Sequence, residues 1–125
     1  MIIGIGTDLC EIGRIEQALT RHGDRFARRV LVEPEFQRYL QHRKPAAYLA
    51  KRFAAKEALS KALGTGIRAP MSWHNVGVLN RKSGAPYFDL SEALGALVAS
   101  RGIRTVHLTI TDERAMACAF VILEG

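Results

Sequence analysis

Hydrophobic and polar positions along the chain change period several times, and each change marks an element. Met1 to Cys10 (MIIGIGTDLC) is isoleucine-rich with Gly4 and Gly6 interleaved. Such a run reads as a buried strand that another element approaches closely, because glycine puts no side chain in the way. Ile12, Ile15, Ala18 and Leu19 then recur at helical spacing, with Arg14, Glu16, Gln17 and Arg21 on the opposite side and Gly23 as the break. Arg25 to Val30 continues as a short helical piece, and Glu33-Pro34-Glu35 opens another helix with Phe36, Tyr39 and Leu40 inside. Lys44-Pro45 closes it, and a long central helix runs from about Ala46 to Leu63.

Ile67 to His74 has no clear period and reads as loop. Asn75 to Asn80, a turn over Arg81 to Ala85 and Pro86 to Leu90 read as a hairpin. Ser91 caps a helix that runs through Ser100 and stops at Gly102. Arg104 to Thr111 alternates, with Val106, Leu108 and Ile110 on one face and Thr105, His107, Thr109 and Thr111 on the other. After the turn at Thr111 to Arg114, Ala115 to Leu123 is apolar on both faces, as a central strand would be, so the sheet closes with the C-terminal strand inside it.

The central helix carries the densest chemistry. Within Arg52 to Gly66 (RFAAKEALSKALGTG), Glu57 and Lys61 stand four apart on one face, with Phe53 a turn earlier. Ala47, Ala54, Ala58 and Ala62 line another side, where small residues let a neighbour lie close. Gly64-Thr65-Gly66 ends the helix and offers backbone N–H groups to a phosphate. Taken alone, the stretch favours a plainer reading, a Glu57–Lys61 surface ion pair followed by an ordinary glycine cap. Asp8 alone likewise reads first as a turn former or as preparation for the helix that follows. His107 alone is either an idle histidine bonded to a threonine or a cation-capable contact to phosphate.

Composition narrows the classes. A chain of 125 residues fits one domain, 1–125, large enough to bury roughly two-thirds of its unfolded surface. Eighteen Lys and Arg against twelve Asp and Glu give +6, and the excess gathers between Arg14 and Lys44, which calls for an acidic partner or ligand. Aromatic residues are only 7% and no nucleic-acid motif is visible, which argues against a nucleic-acid partner. Cys10 and Cys118 lack zinc or disulfide spacing and read as buried reduced thiols, which suits the cytoplasm. The amino terminus does not read as a signal peptide, and no run is long enough to span a membrane, so no membrane partner is expected. Two carboxylates, Asp8 and Glu57, with room for water and phosphate oxygens are what Mg²⁺ takes. There is no P-loop, and the GIG near the start lacks the third glycine of a dinucleotide fingerprint.

GIGTDLCEIGRI, RFAAKEALSKALGTGI and VHLTITDE, in this order in so short a chain, resemble the holo-[acyl-carrier-protein] synthases, the short bacterial 4′-phosphopantetheinyl transferases. The resemblance spans the chain. It implies an α+β fold, with a small antiparallel sheet packed on a long central helix. It also implies transfer of the 4′-phosphopantetheine arm of coenzyme A to a serine of apo acyl carrier protein, releasing adenosine 3′,5′-bisphosphate. On this resemblance Asp8, Glu57 and Lys61 are the catalytic residues, with Asp8 and Glu57 as Mg²⁺ ligands. Arg52, Lys61, Gly64, Gly66 and His107 would contact coenzyme A, and Arg14, Arg21 and Arg25 the acidic helix of acyl carrier protein. The serine proton would go to Glu57 or to a metal-bound water. Family members of this type form homotrimers with sites between subunits. Larger relatives carry a histidine where this chain has Asp112, which leaves position 112 without an assigned role. Two other classes stay in view: a basic binding module for an acidic protein or nucleic acid, and a coenzyme A thioester-processing enzyme. The second would need a reactive thiol that neither apolar cysteine supplies.

Overall fold

A nineteen-residue helix, α4 (Pro45–Leu63), forms the axis on which most of the other elements pack. The computed structural model describes residues 1–125. Before α4 come β1 (Ile2–Glu11), α1 (Ile12–His22), α2 (Asp24–Val30) and α3 (Glu33–Gln41); after it come β2 (Val76–Asn80), β3 (Pro86–Leu90), α5 (Glu92–Ser100), β4 (Thr105–Asp112) and β5 (Met116–Glu124). The strands form an antiparallel sheet of order β1-β5-β4 and a separate β2-β3 hairpin. The expected α+β architecture is therefore present, and the C-terminal strand is the middle one.

Helix α4 lies with its backbone almost on that of β1. A side chain at Gly6 would fall on the carbonyl oxygen of Ala58 and 2.6 Å from the amide nitrogen of Ala62; one at Gly4 would fall on the Ala62 carbonyl. Ala54 and Ala58 are fully buried beneath the sheet, so the small residues of α4 and the glycines of β1 serve one purpose, close approach. Ala62 is half-buried at the end of this contact, while Ala47, also half-buried, takes no part in it.

On its other side α4 is tied by a buried ion pair that the hydrophobic pattern did not announce. Lys56 and Glu35 are both fully buried. The Lys56 ammonium donates to Glu35 Oε1 (2.7 Å) and to the carbonyls of Val30 (2.6 Å) and Trp73 (3.0 Å). Glu35 also accepts from the backbone N–H groups of Val32 (2.8 Å) and Val78 (2.7 Å). Burial pushes the Lys56 pKa down while Glu35 pulls it back up. With every donor of the ammonium used, the pair avoids the main cost of a buried charge, an unmet hydrogen bond.

Two expectations need correction here. Asp8 is neither turn nor cap: β1 continues through Glu11, Asp8 sits in register with Ala119, and α1 begins without a side-chain cap. Cys10 is buried, its thiol pushed up to about 11 chiefly by that burial, but Cys118 is only half-buried. It pairs with Leu9 on the sheet face that α4 does not cover.

Replacing Gly6 by Ala should destabilise the protein by about 2 kcal/mol or more, because a backbone atom cannot move aside as a side chain can. Gly95, mid-helix in α5 with nothing near its Cβ position, is the control: Gly95→Ala should stabilise by about 0.5–1 kcal/mol. Urea denaturation measures both, and an unaltered Gly6→Ala midpoint would contradict the close-approach account.

Candidate functional site

Because β1 and α4 are pressed together, side chains along their shared edge meet. Asp8 and Glu57 line one cleft of about 440 Å³, together with Arg14 and Ile15 of α1, Phe26 of α2 and Phe53 of α4. Lys61, one turn beyond Glu57, donates to Asp8 Oδ1 (2.9 Å) and to the Thr7 carbonyl (3.2 Å). The expected Glu57–Lys61 surface pair is thus replaced by a Lys61–Asp8 pair across the helix–strand seam. Glu57, left without a cation of its own, has its carboxyl pKa raised, first by burial and then by the neighbouring charge of Asp8, with Lys61 opposing.

Two carboxylates that repel one another in an open, partly polar cleft suit a divalent cation. Both are hard oxygen donors; Cys10 and Glu11 also line the cleft, but no three such side chains are grouped to hold a metal ion, so a cation held by the pair would take its other positions from water or a ligand.

The glycine exit behaves differently from the expectation. Gly64 caps α4 in the left-handed region (φ 74°) and Gly66 follows at φ 64°. The N–H of Gly64 bonds to the Lys61 carbonyl (3.1 Å), and those of Thr65 (3.2 Å) and Gly66 (3.4 Å) to the Ser60 carbonyl. These donors close the helix end and are not free to cradle a phosphate.

Arg52 stands on another wall of α4, in a cavity of about 590 Å³ lined also by Arg38, Lys51, Arg81, Lys82 and Tyr48. Arg52 is 5% exposed; its guanidinium donates to Asn80 Oδ1 (2.7 Å) and lies over the Tyr48 ring (4.3 Å), yet it has no carboxylate partner and its Nε is unbonded. A buried cation without a counter-ion is costly, and an anion in this cavity would relieve that cost. Sequence reading singled out Arg52 but missed the cavity, whose walls come from α3, α4 and the β2–β3 turn.

His107 lies outside both depressions. It is on β4, opposite Ile122, and its Nε2 is 2.8 Å from Glu124 Oε1. The histidine holds the Glu124 carboxyl below its ordinary range. Arg14, Arg21 and Arg25 are exposed along α1 and the start of α2, with Arg14 at the lip of the acidic cleft.

An acidic cleft and a cationic cavity on different walls of one helix define a class: a small α+β protein with one place suited to a cation and another suited to an anion. Residues 4–119 match ACPS, the 4′-phosphopantetheinyl transferase superfamily. The chain is 53% identical over 124 residues to the holo-[acyl-carrier-protein] synthase of Nitrosomonas europaea, covering 99% of each. It superposes with a TM-score of 0.96 on the crystal structure of that synthase from Neisseria meningitidis, at 43% identity and over 100% of both chains. A Bacillus anthracis synthase described as a complex with CoA (3′,5′-ADP) superposes at 0.83, with 37% identity and coverage of 98% and 96%. The chain belongs to the holo-[acyl-carrier-protein] synthase family of 4′-phosphopantetheinyl transferases.

Glu57→Gln should raise the melting temperature at neutral pH. A carboxyl whose folded pKa is raised makes the fold lose stability as pH climbs past its ordinary value of 4.5. The gain should therefore close as pH falls toward that value. Calorimetry from acid to neutral pH checks it, and a gain that persisted at low pH would point to packing instead of charge.

Proposed function

We propose that this protein transfers the 4′-phosphopantetheine group of coenzyme A to a serine hydroxyl of apo acyl carrier protein, leaving adenosine 3′,5′-bisphosphate. One observation carries the reading: Asp8 and Glu57, far apart in the chain, line one cleft at the β1–α4 seam, with Lys61 on Asp8. Asp8 and Glu57 would hold Mg²⁺, which when bound there supplies positive charge to the diphosphate of coenzyme A. Lys61, a point charge on a flexible stem, neutralises a diphosphate oxygen from the same edge. Arg52, already buried without a counter-ion, takes a further phosphate of coenzyme A. The serine proton leaves to Glu57 or to water held beside it. Gly64 and Gly66 serve this arrangement by ending α4 just past Lys61.

Arg14, Arg21 and Arg25 give the acidic helix of acyl carrier protein a basic track that ends at the cleft. Complementary charge of this kind governs encounter and weakens with salt.

A homotrimer with sites between subunits is supported by the sheet face that α4 leaves uncovered. Ile5 and Leu9 are 61% and 63% exposed there, and Phe120 is 39% exposed. Apolar strands left bare in this way call for cover, and symmetric copies of the chain supply it. His107 shares that face, so in such an assembly it would reach a neighbour's ligand instead of its own chain's. No helix is long and apolar enough to cross a membrane. We place the protein in the cytoplasm, where its two free thiols persist.

Incubated with coenzyme A and Mg²⁺, apo acyl carrier protein should gain the mass of the arm. Asp8→Ala and Glu57→Ala should each cut turnover by at least about a hundredfold while melting cooperatively. Near-normal turnover in either variant would falsify the assigned roles, and polyanion binding indifferent to Mg²⁺ and coenzyme A would favour a non-catalytic basic module instead. Phe120→Arg should convert trimers to monomers in light scattering and abolish transfer; a monomeric wild type would remove the shared-site arrangement.

A further inference from the structure

The cations of the basic cavity are held in different ways. Arg38 and Arg52 both donate to the amide oxygen of Asn80, at 3.3 and 2.7 Å, and Arg81 stacks over the Tyr87 ring at 4.7 Å. None of these three is paired with a carboxylate. Lys51 is: its ammonium lies 3.9 Å from Oδ2 of Asp112, the last residue of β4. Both side chains are partly open, 26% and 44% exposed, and the separation is too long for a hydrogen bond. What remains is charge attraction, worth up to about fivefold in an equilibrium constant for an exposed pair.

We propose that Asp112 sets how tightly the basic cavity holds a phosphate, by competing with the ligand for Lys51. The inference rests on the reading of that cavity as the seat of a coenzyme A phosphate. A lysine ammonium on its four-carbon stem turns readily between two oxygens a few ångströms apart. Any phosphate entering beside Arg52 must therefore win Lys51 from Asp112, and part of the cavity's attraction is spent in doing so.

The competition has a use. The bisphosphate that leaves retains whatever phosphate the cavity grips in coenzyme A, apart from the transferred group. A grip made equally to substrate and product gives no advantage in the chemical step and slows departure of the product. Asp112 weakens that uniform grip without touching the cleft of Asp8 and Glu57, which it does not line.

Calorimetric titration with adenosine 3′,5′-bisphosphate tests this in the wild type, Asp112→Asn, Lys51→Met and the double variant, at low and high salt. Asp112→Asn should bind about threefold more tightly with a steeper salt dependence, since the ligand no longer competes with a carboxylate for Lys51. Lys51→Met should bind more weakly, and the double variant should match Lys51→Met, because Asp112 acts through the lysine. A gain in affinity is not what structural damage produces. The inference is overturned if Asp112→Asn binds like the wild type, or if its gain survives in full without Lys51. A wild type that does not bind the bisphosphate overturns both the inference and the reading of the cavity beneath it.

Discussion

The contact on which the site depends is backbone against backbone. With Gly4 and Gly6 offering no side chain, the strand lets Ala58 and Ala62 of α4 settle onto it at a distance that any other residue would prevent. Asp8 comes two residues after Gly6, while Glu57 and Lys61 flank Ala58 and Ala62. The same approach that buries the alanines therefore leaves the acids and the lysine side by side along the edge of the contact. Packing and chemistry are one constraint here: lifting the helix by a methyl group separates Lys61 from Asp8.

A helix resting on glycines can still roll, and the Glu35–Lys56 pair opposes that. Lys56 precedes Glu57, so the bonds that fix the ammonium to Val30, Glu35 and Trp73 also fix the direction in which the next side chain leaves the helix. The pair contributes little net stability, since desolvating two charges offsets most of their attraction. Its worth lies in geometry. The ammonium finds these three acceptors together in only one orientation of α4, whereas an apolar side chain tolerates several.

Much of this was legible from periodicity. Elements whose apolar residues recur at one spacing, such as α1 and β4, announce themselves, and the interleaved glycines of β1 signalled close approach. Asp8 and Glu57 were recognisable from the motifs around them, and it was the family resemblance, not periodicity, that implied they meet. What stayed hidden depends on groups meeting across the chain. The basic cavity draws Arg38, Arg52 and Arg81 from three elements, none of which looks unusual alone. Lys56 falls among Leu49, Leu59 and Leu63 on the buried side of α4, and a lysine in such a position was the available signal of a buried partner. At Gly64–Gly66 a local demand was also hidden: a helix ending in left-handed glycines uses their N–H groups on its own last carbonyls.

The two depressions also measure a ligand. Arg52, Glu57 and Lys61 lie on one rigid helix, where each residue advances about 1.5 Å, so the arginine stands roughly 7.5 Å along the axis from the glutamate and roughly 13.5 Å from the lysine. The carboxylates suit a hydrated cation and the diphosphate it would carry, while the buried arginine suits a further anionic group some distance away. Inorganic phosphate answers only one of these demands. Nine residues are two and a half turns, so Arg52 and Lys61 leave α4 on opposite sides, and a molecule that answered both demands would have to be long, carry phosphates at separated points and pass around the helix instead of along it.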